Sequence, residues 1–215
     1  MKVLTIANRK GGAGKSTIAA HLAVEAVNDG YKTLLIDLDP QQTLEGWWKK
    51  REKDDIPLTE ANSENIKSQI NKLEIAGFDL CIIDTPGDAS VNARSGIEVA
   101  DLVVIPSKPT APDLSAIGRT IGIVEEAKKK FVFVITQGVL TSNLNFQASA
   151  ALSSFGKVAT TIIANRASYA KAMGAGESAC VSDKKASDEL SKLWEFVKEN
   201  IFDEGLVKNK NKLVA

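Results

Sequence analysis

Lys10-Gly11-Gly12-Ala13-Gly14-Lys15-Ser16-Thr17 is the stretch from which the rest of this 215-residue sequence can be read. A phosphate-binding loop ordinarily follows G-x-x-x-x-G-K-[ST]. Gly14-Lys15-Ser16 supply the second half, but Arg9 stands where the first glycine belongs, so the strict pattern fails. In its place stands K-G-G-x-G-K-S, a variant with an additional lysine, Lys10. Its context is right, since a strand-like run at residues 2–7 enters the loop and helical spacing at 16–28, closed by Gly30, leaves it. Gly11, Gly12 and Gly14, with the small Ala13 between them, let successive backbone N–H groups turn inward around phosphate oxygens. A helix starting near Lys15 adds the positive end of its dipole. The Lys15 ammonium suits the β- and γ-phosphates of a nucleoside triphosphate, the Ser16 hydroxyl suits Mg²⁺, and Thr17 suits the α-phosphate.

Outward from the loop, short apolar strands alternate with helical patterns. Strands are expected at 32–37, 79–84, 102–106, 131–136 and 158–163, and helices at 64–76, 91–99, 112–129, 143–153 and 187–201. Near-continuous apolar strands separated by helices predict a doubly wound α/β fold, a mostly parallel sheet with helices on both faces. With no internal repeat and no long linker, residues 1–202 read as a single domain. Residues 203–215, rich in lysine and asparagine and without periodicity, read as a polar tail.

Hydrophobic residues make up 44% and charged residues 25%, the balance of a soluble globular protein. Lysine plus arginine equals aspartate plus glutamate at 27 each, so any polyanion binding needs a local basic patch. Neither a signal peptide nor a membrane-spanning apolar run is visible, which points to the cytoplasm. Cys81, inside an apolar run, reads as core, and Cys81 and Cys180 lack metal-ligand spacing.

Two acidic segments close predicted strands, where open α/β sheets place their ligands. They are Leu35-Ile36-Asp37-Leu38-Asp39-Pro40-Gln41 and Ile82-Ile83-Asp84-Thr85-Pro86-Gly87. Asp84, after its apolar run, has the setting of an aspartate that holds Mg²⁺ through a water. The Gly87 backbone is placed to report the γ-phosphate and act as a switch.

With these motifs in hand, the chain resembles the ParA/MinD family of deviant Walker ATPases, and within it the small plasmid partition proteins of ParA type. The likeness runs from residue 1 to about 201 and is most specific at residues 8–17 and at Asp37-Leu38-Asp39-Pro40-Gln41. Residues 105–113 (IPSKPTAPD) are similar to the family motif after the following strand. Residues 165–172, opening with Asn165-Arg166, resemble the segment near the adenine. The resemblance implies an ATP-bound homodimer in which Lys10 reaches the partner subunit's phosphates, Asp39 positions the attacking water and Asp37 supports the metal shell. It further implies slow, Mg²⁺-dependent ATP hydrolysis stimulated by a ParB-type centromere-binding adaptor. Non-specific DNA binding, nucleoid association and DNA segregation complete the set. Family members often carry asparagine after the fifth strand, whereas Thr136-Gln137 stands here. The N-terminal helix-turn-helix of larger ParA proteins finds no room, so no operator-specific binding is expected.

A DNA surface by this resemblance falls in the C-terminal half, with Lys184, Lys185 and Lys192 as candidates for phosphate contact. In the same region Leu190, Leu193, Trp194, Val197 and Ile201 form one helical stripe. A MinD-like protein inserts its final helix into the membrane surface. Here Glu189, Glu195 and Glu199 oppose anionic lipid, so docking on the domain's own core is expected and no membrane partner. Trp47 and Trp48 are expected to divide between the core and a loop near nucleotide or partner. The alternatives are a MinD-like membrane-cycling ATPase, a ParA-like positioner of a non-DNA cargo, and a metabolic relative. An iron-protein reductase would need cluster cysteines, and an arsenite pump usually carries two tandem copies of the domain.

Overall fold

Runs of Val, Ile and Leu too apolar to face water form six strands: β1 (Lys2–Ile6), β2 (Thr33–Asp37), β3 (Leu80–Asp84), β4 (Leu102–Ser107), β5 (Lys130–Gly138) and β6 (Lys157–Ala164). The structure, a computed structural model, describes residues 1–202, and the polar tail expected at 203–215 lies outside the described residues. The strands form one sheet in the order β2-β3-β1-β4-β5-β6, and every neighbouring pair is parallel. Every residue of β3 and of β4 is buried, as a sheet covered on both faces requires.

Alternate strand residues supply two faces. One, with Leu4, Ile6, Leu35, Ile82, Val104 and Val134, packs under α1 (Lys15–Asn28), α2 (Thr43–Trp48), α7 (Ala167–Ala175) and α8 (Lys184–Ile201). The other carries Val103, Ile105, Phe133 and Ile135 against α4 (Val91–Glu98), α5 (Ala111–Glu126) and α6 (Leu144–Ser153). Val3, Leu34, Ile36 and Cys81 extend it beneath α3 (Ile66–Ile75). Because β3 and β4 flank β1, the strand order reverses beside β1, and a crevice opens at the carboxyl ends there.

The expected stripe on α8 is buried at Leu190, Leu193, Trp194, Val197 and Ile201. It docks on the chain's own core, fastened where Trp194 Nε1 and Lys198 Nζ both donate to Asp29 Oδ2 at 2.9 and 3.1 Å. Helix α8 starts at Lys184 because the Asp183 carboxylate accepts the amides of Lys185 and Ala186. Both tryptophans serve the fold. Trp47 is buried and donates to the Glu177 carbonyl, while Trp48 donates to the Ile56 carbonyl.

His21, fully buried on α1, joins that helix to the C-terminal segment. Its Nε2 accepts the Ala179 amide at 3.1 Å, so Nδ1 carries the proton donated to the Thr17 carbonyl at 2.7 Å. Burial holds its pKa down at about 4, against the Thr17 carbonyl, which favours the protonated ring. The unfolded chain binds a proton near pH 6.5, before the folded one does. The contribution of this ring is therefore complete above that pH and is lost as pH falls toward 4. Relative to His21→Gln, wild type should lose about 2 kcal/mol of unfolding free energy between pH 7 and 4.5. Urea denaturation of both proteins measures this, and parallel pH profiles would refute the assignment.

Candidate nucleotide site at the carboxyl edge of the sheet

Gly12 and Gly14 hold φ of 72° and 88°, a region closed to most side chains, and so wind the loop between β1 and α1. Helix α1 begins at Lys15, directly after Gly14. The first-turn amides of a helix have no intrahelical partner, so this end offers an anion site. The loop's carbonyls are tied back from the neighbouring strands. Thr136 Oγ1 donates to the Ala13 carbonyl and Gln137 Nε2 to the Gly12 carbonyl, each at 2.8 Å. Asn8 bridges the Pro106 carbonyl and the Lys10 amide. Held from behind, the loop faces a cleft of about 590 Å³ that it lines with Asp39–Gln41, Pro86–Asp88 and Gln137. A second cavity of about 250 Å³ shares Gly14, Thr17 and Gln137 with it and adds Ile18, Ile163, Asn165, Arg166 and Tyr169.

Asp84, at the end of central strand β3, is fully buried, and neither carboxylate oxygen has a hydrogen-bond partner among the described residues. Burial pushes its pKa up to about 7; Asp37 and Asp39 push the same way, while the Ser16 hydroxyl and Lys15 ammonium pull it down. Ser16 approaches without full hydrogen-bond geometry. An orphaned buried carboxylate beside a hydroxyl and a phosphate loop fits Mg²⁺, which takes one or two protein oxygens and completes its shell with phosphates and water. No cluster of three or more His, Cys, Asp or Glu capable of holding a metal occurs among the described residues, which fits that sparing use of protein ligands.

The acidic loop after β2 is stapled by Asp37. Its Oδ1 accepts the Asp39 amide and its Oδ2 the Glu45 amide, both at 3.0 Å. Asp37 does not line the cleft, whereas Asp39 does, with Oδ1 accepting the Gln41 amide. Gly87 packs on the phosphate loop, where an added Cβ would stand 3.3 Å from both Gly11 Cα and the Lys15 ammonium. Lys15 is buried, while Lys10 is exposed and absent from the lining of its own cleft.

Asn165 and Arg166 line the second cavity, with Arg166 gripped by Glu189 at 2.6 Å. Lys184, Lys185 and Lys192 are exposed on α8, outside both cavity linings and interleaved with exposed Asp188, Glu195 and Glu199. Sequence reasoning assigned no role to Lys108, whose ammonium lies 3.6 Å from where a Gly12 Cβ would be. It also missed that Gln137, at a left-handed φ of 53°, bridges the two cavities.

Fold, phosphate loop and buried aspartate together define a P-loop nucleotide-binding protein. A model of the CobQ/CobB/MinD/ParA nucleotide binding domain matches residues 4–178, and the chain belongs to that family of P-loop ATPases. Protein ParA of Rhizobium radiobacter is 31% identical over 131 residues, spanning 60% of this chain and 59% of that protein. The maintenance of carboxysome distribution protein A of Halothiobacillus neapolitanus is 29% identical over 204 residues, 88% of this chain and 93% of that one. The septum site-determining protein MinD complexed with Mg-ADP, from Pyrococcus horikoshii, superposes with a TM-score of 0.78 at 16% identity. That superposition covers 92% of this chain and 96% of that chain. No helix among the described residues is long and apolar enough to cross a membrane.

The raised pKa of Asp84 has a stability consequence without nucleotide. Between pH 4 and 7 the folded state keeps a proton that the unfolded chain has released, so this group's contribution declines as pH rises through about 7. Asp84→Asn removes the buried charge. It should make the nucleotide-free protein about 1–3 kcal/mol more stable at pH 8, with the gain shrinking as pH falls below 7 and vanishing near pH 4. Thermal unfolding at the two ends of this range measures it, and a variant less stable than wild type at pH 8 would contradict the orphaned-carboxylate reading.

Proposed function

We propose that this chain is a ParA-like ATPase that drives DNA segregation through ATP-dependent dimerisation and non-specific DNA binding. The observation that carries the proposal is the division of labour between two lysines of one loop. Lys15 is buried at the cleft, and Lys10 is exposed and outside it. A cation on the loop that does not serve its own cleft is available to the nucleotide of a second copy.

ATP then lies across the two cavities. Gly11, Gly12, Ala13 and Gly14 offer backbone amides, Lys15 takes the β- and γ-phosphates, Thr17 the α-phosphate, and Asn165 and Arg166 border the base. Ser16 and, through a water, Asp84 would hold Mg²⁺, which would supply charge neutralisation at the β- and γ-phosphates. Asp39 holds the attacking water, and Asp37 keeps the loop and the metal's surroundings in place through its two amide bonds. Gly87, pressed on Gly11 and Lys15, moves when the γ-phosphate leaves. The dimer places Lys184, Lys185 and Lys192 on DNA phosphates, hydrolysis releases it, and a ParB-type adaptor accelerates the slow turnover. The protein thus works in the cytoplasm on the nucleoid. The name of the R. radiobacter relative supports this reading.

A second reading keeps the motor and changes the cargo, because the relative covered over most of its length is named for carboxysome distribution. A MinD-like attachment to membrane through α8 is disfavoured, since the apolar stripe of that helix is spent on the core.

Binding to non-specific duplex at low salt, with ATP, ADP or no nucleotide, tests the proposal. ATP should raise DNA affinity at least tenfold in wild type, and Lys15→Ala and Lys10→Ala should each abolish the rise, Lys10→Ala while still binding ATP. Replacing Lys184, Lys185 and Lys192 together should lower the salt slope by up to about 3. Hydrolysis of ATP with DNA ignored in every nucleotide state would remove the basis for segregation.

A further inference from the structure

Glu189 lies on α8 with its side chain only 11% exposed, yet it does not line either cavity. Its Oε1 accepts from Arg166 Nε and Nη2 at 3.0 and 2.6 Å. Its Oε2 accepts from the Tyr169 hydroxyl at 2.8 Å and from the Ala164 amide at 3.2 Å. The three residues that donate these bonds all line the second cavity. One carboxylate, brought from a helix outside the cavity, therefore fixes the end of β6, the first turn of α7 and the cavity's one cation.

Two consequences follow for what the cavity accepts. The carboxylate cancels the charge of Arg166, so this guanidinium is not a second phosphate anchor. It also occupies the Nε and Nη2 edge, which leaves Nη1 and the flat face of the guanidinium for a ligand. The remaining walls are apolar at Ile18, Ile163 and Ala170, and uncharged at Thr136 and Asn165. Such a slot suits a flat, uncharged ring with a hydrogen-bonding edge, which the guanidinium face can cover. We infer that Glu189 is a positioning residue that converts Arg166 into a neutralised platform for the nucleobase, an inference that rests on the nucleotide reading of this site.

Calorimetric binding of Mg-ATP and of Mg-tripolyphosphate separates the two parts of the site, because tripolyphosphate fills the phosphate loop and carries no base. Wild type should bind ATP more tightly than tripolyphosphate. Glu189→Ala should weaken ATP about tenfold while leaving tripolyphosphate unchanged or tighter, since the Arg166 charge is then no longer offset. Glu189→Gln, which keeps one acceptor oxygen, should restore part of the loss and carries the comparison if Glu189→Ala fails to fold. In an Arg166→Ala background, Glu189→Ala should add little. In steady-state hydrolysis the rise in KM should exceed the change in kcat. Equal weakening of both ligands would mean a merely structural role and overturn the inference, as would an unchanged ATP affinity in both Glu189 variants. A wild type that binds neither ligand refutes the nucleotide reading itself. Discrimination between the two ligands that survives every variant refutes only the role of Glu189.

Discussion

Asp84 is a carboxyl group whose oxygens accept no full hydrogen bond among the described residues, at the end of a strand buried on both sides, beneath a loop whose glycines suit it to gather negative charge. Leaving such a group unpaired costs on the order of 1–3 kcal/mol or more, and the arrangement persists only because the surrounding structure holds it in place. Lys15 and Ser16 relieve part of that cost, while Asp37 and Asp39 add to it. The site is therefore electrostatically unbalanced in a particular sense: three carboxyl groups stand close together against the one buried ammonium of Lys15. Under the proposed function, magnesium with a polyphosphate would answer both the carboxyl groups and the ammonium, and the residues that destabilise the empty site would be those that favour its ligand.

For that selection to work the loop must not relax, and the sheet is what prevents relaxation. Each strand delivers something different at its carboxyl end. Strand β1 leads into the loop, β2 and β3 bring Asp37 and Asp84, and β4 and β5 bring the groups that tie the loop's carbonyls and Asn8 from behind. Strand β6 ends at the wall of the second cavity. The bonds from Thr136 and Gln137 consume loop carbonyls and leave its amides to the cleft. Preorganisation of this kind spares the ligand the entropy of ordering a glycine-rich segment.

The strands and the phosphate loop are legible in the sequence because each rests on local information. Leu80-Cys81-Ile82-Ile83 is too apolar to be anything but a buried strand, and K-G-G-x-G-K-S needs no tertiary partner to be recognised. Helices α2 and α7 escape such reading. The first has six residues with Gly46 inside it, and the second is mostly Ala, Ser and Gly with only Tyr169 and Ala172 buried, so neither offers a periodic stripe. Within the site, residue identity gave Asp84 and Lys15, whereas the partners of Asp37, Gln137 and Glu189 lie up to 125 residues away and emerge only from the fold. Left-handed Gln137 is beyond sequence reasoning altogether, since nothing local demands a positive φ at that position.

Helix α8 then has two obligations that the sequence presents as one amphipathic pattern. Its apolar stripe is spent on the core, and its N-terminal turns belong to the nucleotide site through Glu189. His21 adds a second tie, joining the first turns of α1 to the amide of Ala179 just ahead of α8. Arg51 and Trp47 add two more, to the carbonyls of Gly176 and Glu177. The segment from α7 to α8 is thus bonded to the loop-bearing helix and to the second cavity at several independent points, while Lys184, Lys185 and Lys192 face solvent. The walls of the second cavity are bonded to α8 through Glu189, and α8 shares its buried cluster with α1. One helix, α8, thus joins three residues of the second cavity, through the Glu189 carboxylate, to the surface that carries Lys184, Lys185 and Lys192.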